Sequence, residues 1–554
     1  MRHRELLVLL GSICLALILT VLPFVGACAP AAPPEEEAPP PEEEAPPPAP
    51  VKDTLVIGIP ELPPTIDPET SQLIGAYITL ACSDRMLRFG VKPSPGTEGV
   101  SILDYDAPFI PALAESYEIS PDSTEITFHL RKGAKSPSGS EFTAEDLAWN
   151  MERATAMKGL IGWLRGVMGV PEDGYEIIND YTVKATASKP NPLLAAIHAN
   201  SCYVFLESSE AKEHATADDP WATNFVKFNL PSPGPYYVTS WEAGKEAVLK
   251  ANPNYWGGEP EIKKIIWKVI HESSSRLAMI RDGTIDIAYM LSPKEIDSLR
   301  GVPGVKVVVE KGLDQLFLSM NPSMVEPFKN KLVRQAINYA IDRERINDIV
   351  YYGMAEPAWF ILPSQFPGVL PAEEWPYKND LEKAKELMVE AGYSDGFEVE
   401  LSYKAGITKD ESTAILIKED LAKIGIDVTL KKTPIGALVT MAFAHEIPFM
   451  LYAESPWQPS VNYAVDLFFT SWGFCNYGSL SDPMIDEMTE EGKSIFVKEA
   501  MFEHHYELQR RVIDQAPWAF ILQEPYTVAI RDNVEGYNLD VGNLPRFEEF
   551  SFAK

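Results

Sequence analysis

Hydrophobic and polar positions alternate between two periods along most of the chain. Thr54-Leu-Val-Ile-Gly-Ile59 is an unbroken apolar run, which predicts a strand covered on both faces. Glu125-Ile-Thr-Phe-His-Leu-Arg131 alternates strictly, with Ile126, Phe128 and Leu130 inward and His129 on the solvated face. Thr143-Ala-Glu-Asp146 has the outline of a capping box and predicts a helix running through Leu147 to about Met157. Lys263 to Ile270 alternates again, Arg276 to Asp282 reads as a helix stopped at Gly283, and Ile285 to Tyr289 reads as a strand. Ser292-Pro-Lys-Glu295 opens another helix with a capping Ser and a first-turn Pro. Helices are predicted over Val333–Asp342 and Leu381–Ala391, the second closed by Gly392. Phe397–Tyr403 and Ile426–Leu430 alternate as half-buried strands around an amphipathic stretch from Ser412 to Ile424, a strand–helix–strand unit. Ala516 to Tyr526 is aromatic and apolar, a segment expected to be buried. This mixture of periods predicts an α/β fold.

The N-terminus follows different rules. Arg2 and Arg4 precede an almost wholly apolar run from Leu6 to Val25, and small residues lead up to Cys28. That is the pattern of a secretory leader, residues 1–27. A Cys at the first mature position resembles a bacterial lipobox, which implies lipidation of Cys28 and attachment to the outer face of the cell membrane. Several acyl chains on one Cys meet the requirement of stable anchoring. The alternative is an uncleaved apolar span; both place the rest of the chain outside the cytoplasm. Residues 28–50 continue as a Pro- and Glu-rich spacer containing two near-copies of PPEEEAPP. Pro fixes φ and the Glu triplets repel, so the spacer extends to at most roughly 70 Å at about 3.1 Å per residue.

The 554 residues exceed one core and predict several subdomains. The net charge is −32. A surface of that sign excludes nucleic acid as a partner, because phosphate binding needs basic patches. Of the five Cys, Cys82, Cys202 and Cys475 lack paired spacing and read as small buried residues, with at most one disulfide among them.

Several stretches, in this order, resemble the family 5 bacterial extracellular solute-binding proteins. They are Pro111-Ala-Leu-Ala-Glu-Ser-Tyr-Glu118, Thr127-Phe-His-Leu-Arg-Lys-Gly133, Phe142-Thr-Ala-Glu-Asp-Leu147, Gly234-Pro-Tyr236, Ala251-Asn-Pro-Asn-Tyr-Trp256, Val333-Arg-Gln-Ala-Ile-Asn-Tyr-Ala-Ile-Asp-Arg343 and Ala391-Gly-Tyr-Ser-Asp-Gly-Phe397. The resemblance implies a two-lobed, Venus-flytrap, type II periplasmic-binding-protein-like fold in a large variant with an extra subdomain. The first lobe would span 51–310, with the extra subdomain at about 86–230. The second would span 311–510, with 511–554 returning to the first. The hinge would have two strands, near 305–318 and 500–520. It also implies a monomer that captures a peptide or other small solute and docks on ABC permease subunits with their own ATPases. The chain itself has no phosphate-loop signature.

In peptide-binding relatives an Asp in an Ala-Asp-Tyr-x-x-Pro-like segment anchors the peptide's amino group. The nearest segment here is Ala453-Glu454-Ser455-Pro456-Trp457-Gln458-Pro459. Glu454 falls where that Asp would and reads either as an ammonium anchor or as a loop carboxylate. Trp457, Trp472, Tyr477 and Trp359 are candidate cleft walls or core aromatics. No Arg/His pair stands out to receive a solute carboxylate. Non-peptide solutes (an oligosaccharide, a metal chelate, an opine-like molecule) and a sensing lipoprotein without transport are the competing readings.

Enzyme chemistry finds little support. Gly392-Tyr-Ser394-Asp-Gly396 matches G-x-S-x-G, but a helix precedes it and a strand follows, the reverse of a nucleophile elbow. His504 and His505 are adjacent and diverge on a helix. His271-Glu272 and His445-Glu446 lack a second His at metal-binding spacing. No catalytic residue, metal or cofactor is expected.

Overall fold

A computed structural model describes residues 52–71, 74–456 and 458–553. The expected leader, the Cys28 lipidation site, the Pro/Glu spacer and Trp457 lie outside the described residues.

The sheet that organises the molecule contains β1 (Thr54–Ile59), β2 (Tyr236–Glu242), β3 (Glu246–Ala251), β4 (Lys264–Val269), β5 (Ile287–Ala288), β6 (Val305–Met320), β7 (Phe397–Lys404), β8 (Ile426–Thr433), β9 (Phe449–Glu454) and β10 (Trp518–Arg531). Their order across the sheet is β2-β3-β4-β1-β5-β10-β6-β9-β7-β8, with a short edge strand, Glu356–Pro357, on β10. β1 runs parallel to β4 and β5, and β7 parallel to β8 and β9. These two parallel units are joined by β6 and β10. β10 pairs with β5 on one side, β6 pairs with β9 on the other, and the two long strands pair with each other.

Where they cross from one unit to the other the ladder breaks. Pairing with β10 is lost between Lys311 and Gln315. At Gly312 a Cβ would lie 2.2 Å from the backbone oxygen of Glu524, so only glycine lets the two crossing strands approach. The second crossing strand starts later than the hinge near 500–520 that the resemblance implied. Most of 500–520 is helix Lys498–Gln515, and β10 begins at Trp518. Aromatic density marks burial in that region but does not separate helix from strand.

Local signals act as the chemistry predicts. The backbone N–H of Thr143 donates to the Asp146 carboxylate at 2.7 Å, opening helix Ala144–Met157. Ser292 and Glu295 form a reciprocal box at the next helix start. Gly392 takes φ +85° after helix Leu381–Glu390, a conformation that carries no penalty without a Cβ. The helix between β7 and β8 spans Thr408–Ala422, four residues earlier than the apolar periodicity, because its first turn is polar and acidic.

The first unit packs Leu55, Ile57, Trp267 and Tyr289 over one core. A separate four-stranded sheet (Ala114–Ile119, Glu125–Leu130, Thr182–Thr186, Tyr175–Asn179) closes its own core around Phe128, Phe142 and Phe205. In the second unit Phe317 and Trp518 stack at 3.9 Å with planes 7° apart, and Tyr477 lies parallel to both. Cys82 and Cys475 are buried, Cys202 is half-buried, and all three are free thiols. Among the described residues no helix is long and apolar enough to cross a membrane.

Candidate functional site

Both parallel units turn the carboxyl ends of their strands toward one cavity of about 320 Å³. Loops leaving those ends are where α/β sheets bind ligands, since no strand continues to fill the space. Ile59 ends β1, Trp267 is on β4, and Tyr289 and Met290 follow β5. From the second unit Lys409 enters on the helix after β7. The broken stretch of β6 supplies Gly312, Leu313 and Asp314, and β10 supplies Glu524 to Thr527.

The two walls differ in chemistry. The first unit's wall is aromatic. Trp267 and Tyr289 stack at 6.2 Å with planes 10° apart, and Tyr77 lies 5.1 Å from Tyr289. The hydroxyls of Tyr289 and Tyr526 each hydrogen bond to Tyr537, at 3.2 and 2.7 Å. Burial holds all these phenols protonated.

The second wall is ionic. Lys409 forms an ion pair with Glu524, which also accepts from the Tyr351 hydroxyl at 2.6 Å. Burial alone would raise the Glu524 carboxyl, but Lys409 and these hydrogen bonds bring it below the ordinary value. Asp314 is open to the cavity yet enclosed by protein. That enclosure, then the charge of Glu524, raises its carboxyl. Asp410 is pushed up to about 6 by burial. Lys404 Nζ sits 4.3 Å over the Tyr452 ring.

Glu454 is the last residue of β9, opposite Gln315 in the register and therefore beside Asp314. It is partly exposed and is not among the residues that line the cavity. Its Oε2 accepts from the Tyr477 hydroxyl at 3.2 Å, and the Ser455 N–H donates to Oε1 at 3.3 Å. Burial, then the neighbouring Asp314 charge, pushes the carboxyl up to about 7. So the fold brings Glu454 and Tyr477 together. Trp359 packs half-buried against the second unit's aromatic core. Trp472 is 52% exposed and donates its indole N–H to Asp466 at 2.8 Å. Ser394 is an exposed turn residue.

Asp314, Lys409 and Glu524 were missed in the sequence. The available signal was an acid breaking the apolar run of β6. Its meaning depends on pairing with β10, some 200 positions later, which no local pattern reports.

A cavity between two sheet units, walled by rings on one side and charges on the other, defines a binding protein with an interdomain cleft. Residues 108–475 match the family model described as "Bacterial extracellular solute-binding proteins, family 5 Middle", and the chain belongs to that family. It is 26% identical over 463 residues to heme-binding protein A of Haemophilus influenzae, covering 77% of this chain and 81% of that protein. It is 28% identical over 376 residues to the glutathione-binding protein GsiB of Salmonella choleraesuis, 68% of each chain. Among solved structures it superimposes on the periplasmic binding protein DppA of Helicobacter pylori, in complex with peptide STSA. That match has TM-score 0.77 and 23% identity, over 91% of this chain and 99% of that one. The fold is the two-lobed type II periplasmic-binding-protein architecture, and the family and its structural neighbours are solute-binding proteins, not enzymes.

Proposed function

We propose that this protein is the substrate-binding lipoprotein of an ABC importer. It captures a peptide or peptide-like solute in the cavity between the two sheet units and delivers it to a membrane permease. In this reading the lobes, about 51–310 with 511–554 and 311–510, close about the crossing strands β6 and β10. Lipidated Cys28 keeps the monomer at the membrane. Closure is favoured because the solute touches both walls only in the closed state.

The observation that carries the substrate reading is the Asp314–Glu454 pair. Two adjacent carboxyls are raised by their enclosure in protein and by neighbouring negative charge, Glu524 acting on Asp314 and Asp314 on Glu454, and a cationic group on the solute relieves both effects. An ammonium reaches Asp314 first, and Glu454 supports it with Tyr477.

Mass spectrometry of the solute released by denaturing the purified protein tests this. Short peptides or other amine-bearing molecules are the expected result. A neutral or anionic solute whose affinity is unchanged by D314N and E454Q overturns the cation-anchor reading.

A further inference from the structure

We infer that the cavity selects solutes that carry a cationic group but present no free carboxylate, so an amine-bearing amide or ester is favoured over the corresponding zwitterion. The inference rests on the reading that this cavity is the solute site, and it names the class of solute.

The first ground is the charge inventory. Among the described residues that line the cavity, Lys409 is the only cation, and Glu524 occupies it. The second lysine of the neighbourhood, Lys404, lies over the Tyr452 ring and in the field of Asp314, Asp410, Glu454 and Glu524. With all six groups ionised, four carboxylates against two lysines leave a net charge of −2. A solute carboxylate would enter a field of its own sign with no cation free to receive it. A solute ammonium would enter beside Asp314, which makes no ion pair within 4 Å among the described residues.

The second ground is the opposite wall, where Tyr77, Trp267, Tyr289 and Tyr526 line the cavity with no cation among them. Aromatic rings attract an ammonium or guanidinium and give a carboxylate no counter-charge.

Isothermal titration of the purified protein with matched probes tests the selectivity. The pairs are dipeptide C-terminal amides against the same dipeptides as free acids, and agmatine against arginine. The carboxylate-free member should bind at least roughly tenfold tighter, the effect of one uncompensated like charge about 12 Å away at an effective dielectric constant near 20, and more if it lies closer. D314N should erase the preference. Free acids that bind as tightly as their partners overturn the inference. If D314N still weakens both members, the cavity remains the solute site and only the selectivity fails. If D314N leaves free acids and amides alike unaffected, the cavity reading fails with it.

Discussion

Glu454→Gln separates the electrostatic reading of the site from a packing one. The Glu454 carboxyl is raised to about 7 from an ordinary 4.5, first by burial and then by Asp314. A raised acid binds its proton more tightly in the folded state. Stability is therefore unaffected below about pH 4.5, falls as pH rises toward 7, and carries the full penalty above that. The shift corresponds to about 3 kcal/mol at pH 8, at roughly 1.4 kcal/mol per unit. Glutamine keeps an oxygen for the Tyr477 hydroxyl and never ionises. E454Q should therefore raise the apparent Tm of the ligand-free protein at pH 8 by about 3 °C, since unfolding roughly 500 residues carries an entropy of about 1 kcal/mol/K. At pH 4.5 the two proteins should melt together. Scanning fluorimetry across pH 4.5 to 8.5 measures both ends. Binding gives the opposite sign: parent affinity for an amine-bearing probe should rise about fivefold from pH 6 to 7, as an ammonium needs the ionised acid, while the variant stays flat. A variant that melts lower than the parent at every pH would show that the carboxylate's hydrogen bonds outweigh its burial, and the argument from charge would be wrong.

Three further substitutions probe how the site is held. K409M leaves the Glu524 carboxylate buried without its counter-ion and should destabilise by about 3 kcal/mol, the lower end for breaking a buried pair because Lys409 is 32% exposed. The double variant K409M/E524Q should recover most of that loss in chemical denaturation. G312V places a side chain where a Cβ already meets the Glu524 oxygen at 2.2 Å. It should force β6 and β10 apart, with loss of folded yield by circular dichroism exceeding that of G436V, where no atom lies within 4 Å. W518A removes the centre of the Phe317–Trp518–Tyr477 stack and should cost about 3–5 kcal/mol, read as a lower urea midpoint.

What the sequence made legible and what it left hidden divide along a physical line. Periods of 2 and 3.6, Gly392 at a helix end and the Thr143–Asp146 box are local. Each reports a free-energy preference of a few neighbouring residues, and the structure places the corresponding elements there. The cavity is not local. Glu454 is nominated by its place in one motif-like segment and Tyr477 by its aromatic ring, and the two do meet at 3.2 Å. Trp472, from the same part of the chain, instead faces solvent and bonds Asp466. Aromatic identity does not encode which way a loop turns.

Asp314 is the instructive omission. In sequence it is one acid between Leu313 and Gln315 in a strand, where the ordinary inference is a solvent-facing alternation. Its character comes from three distant facts. Gly312 lets β6 lie against β10, the ladder then fails to Gln315, and the freed carboxyl faces a cavity whose other wall is built from Tyr77, Trp267 and Tyr289. A break in strand pairing leaves backbone and side chains without sheet neighbours, an arrangement that destabilises unless something else occupies the space. At a crossing between two lobes that occupant can be the solute. Under the proposed function, the break in pairing between β6 and β10 and the carboxyl that meets the solute lie within three residues of each other, so capture and closure would be coupled at Asp314.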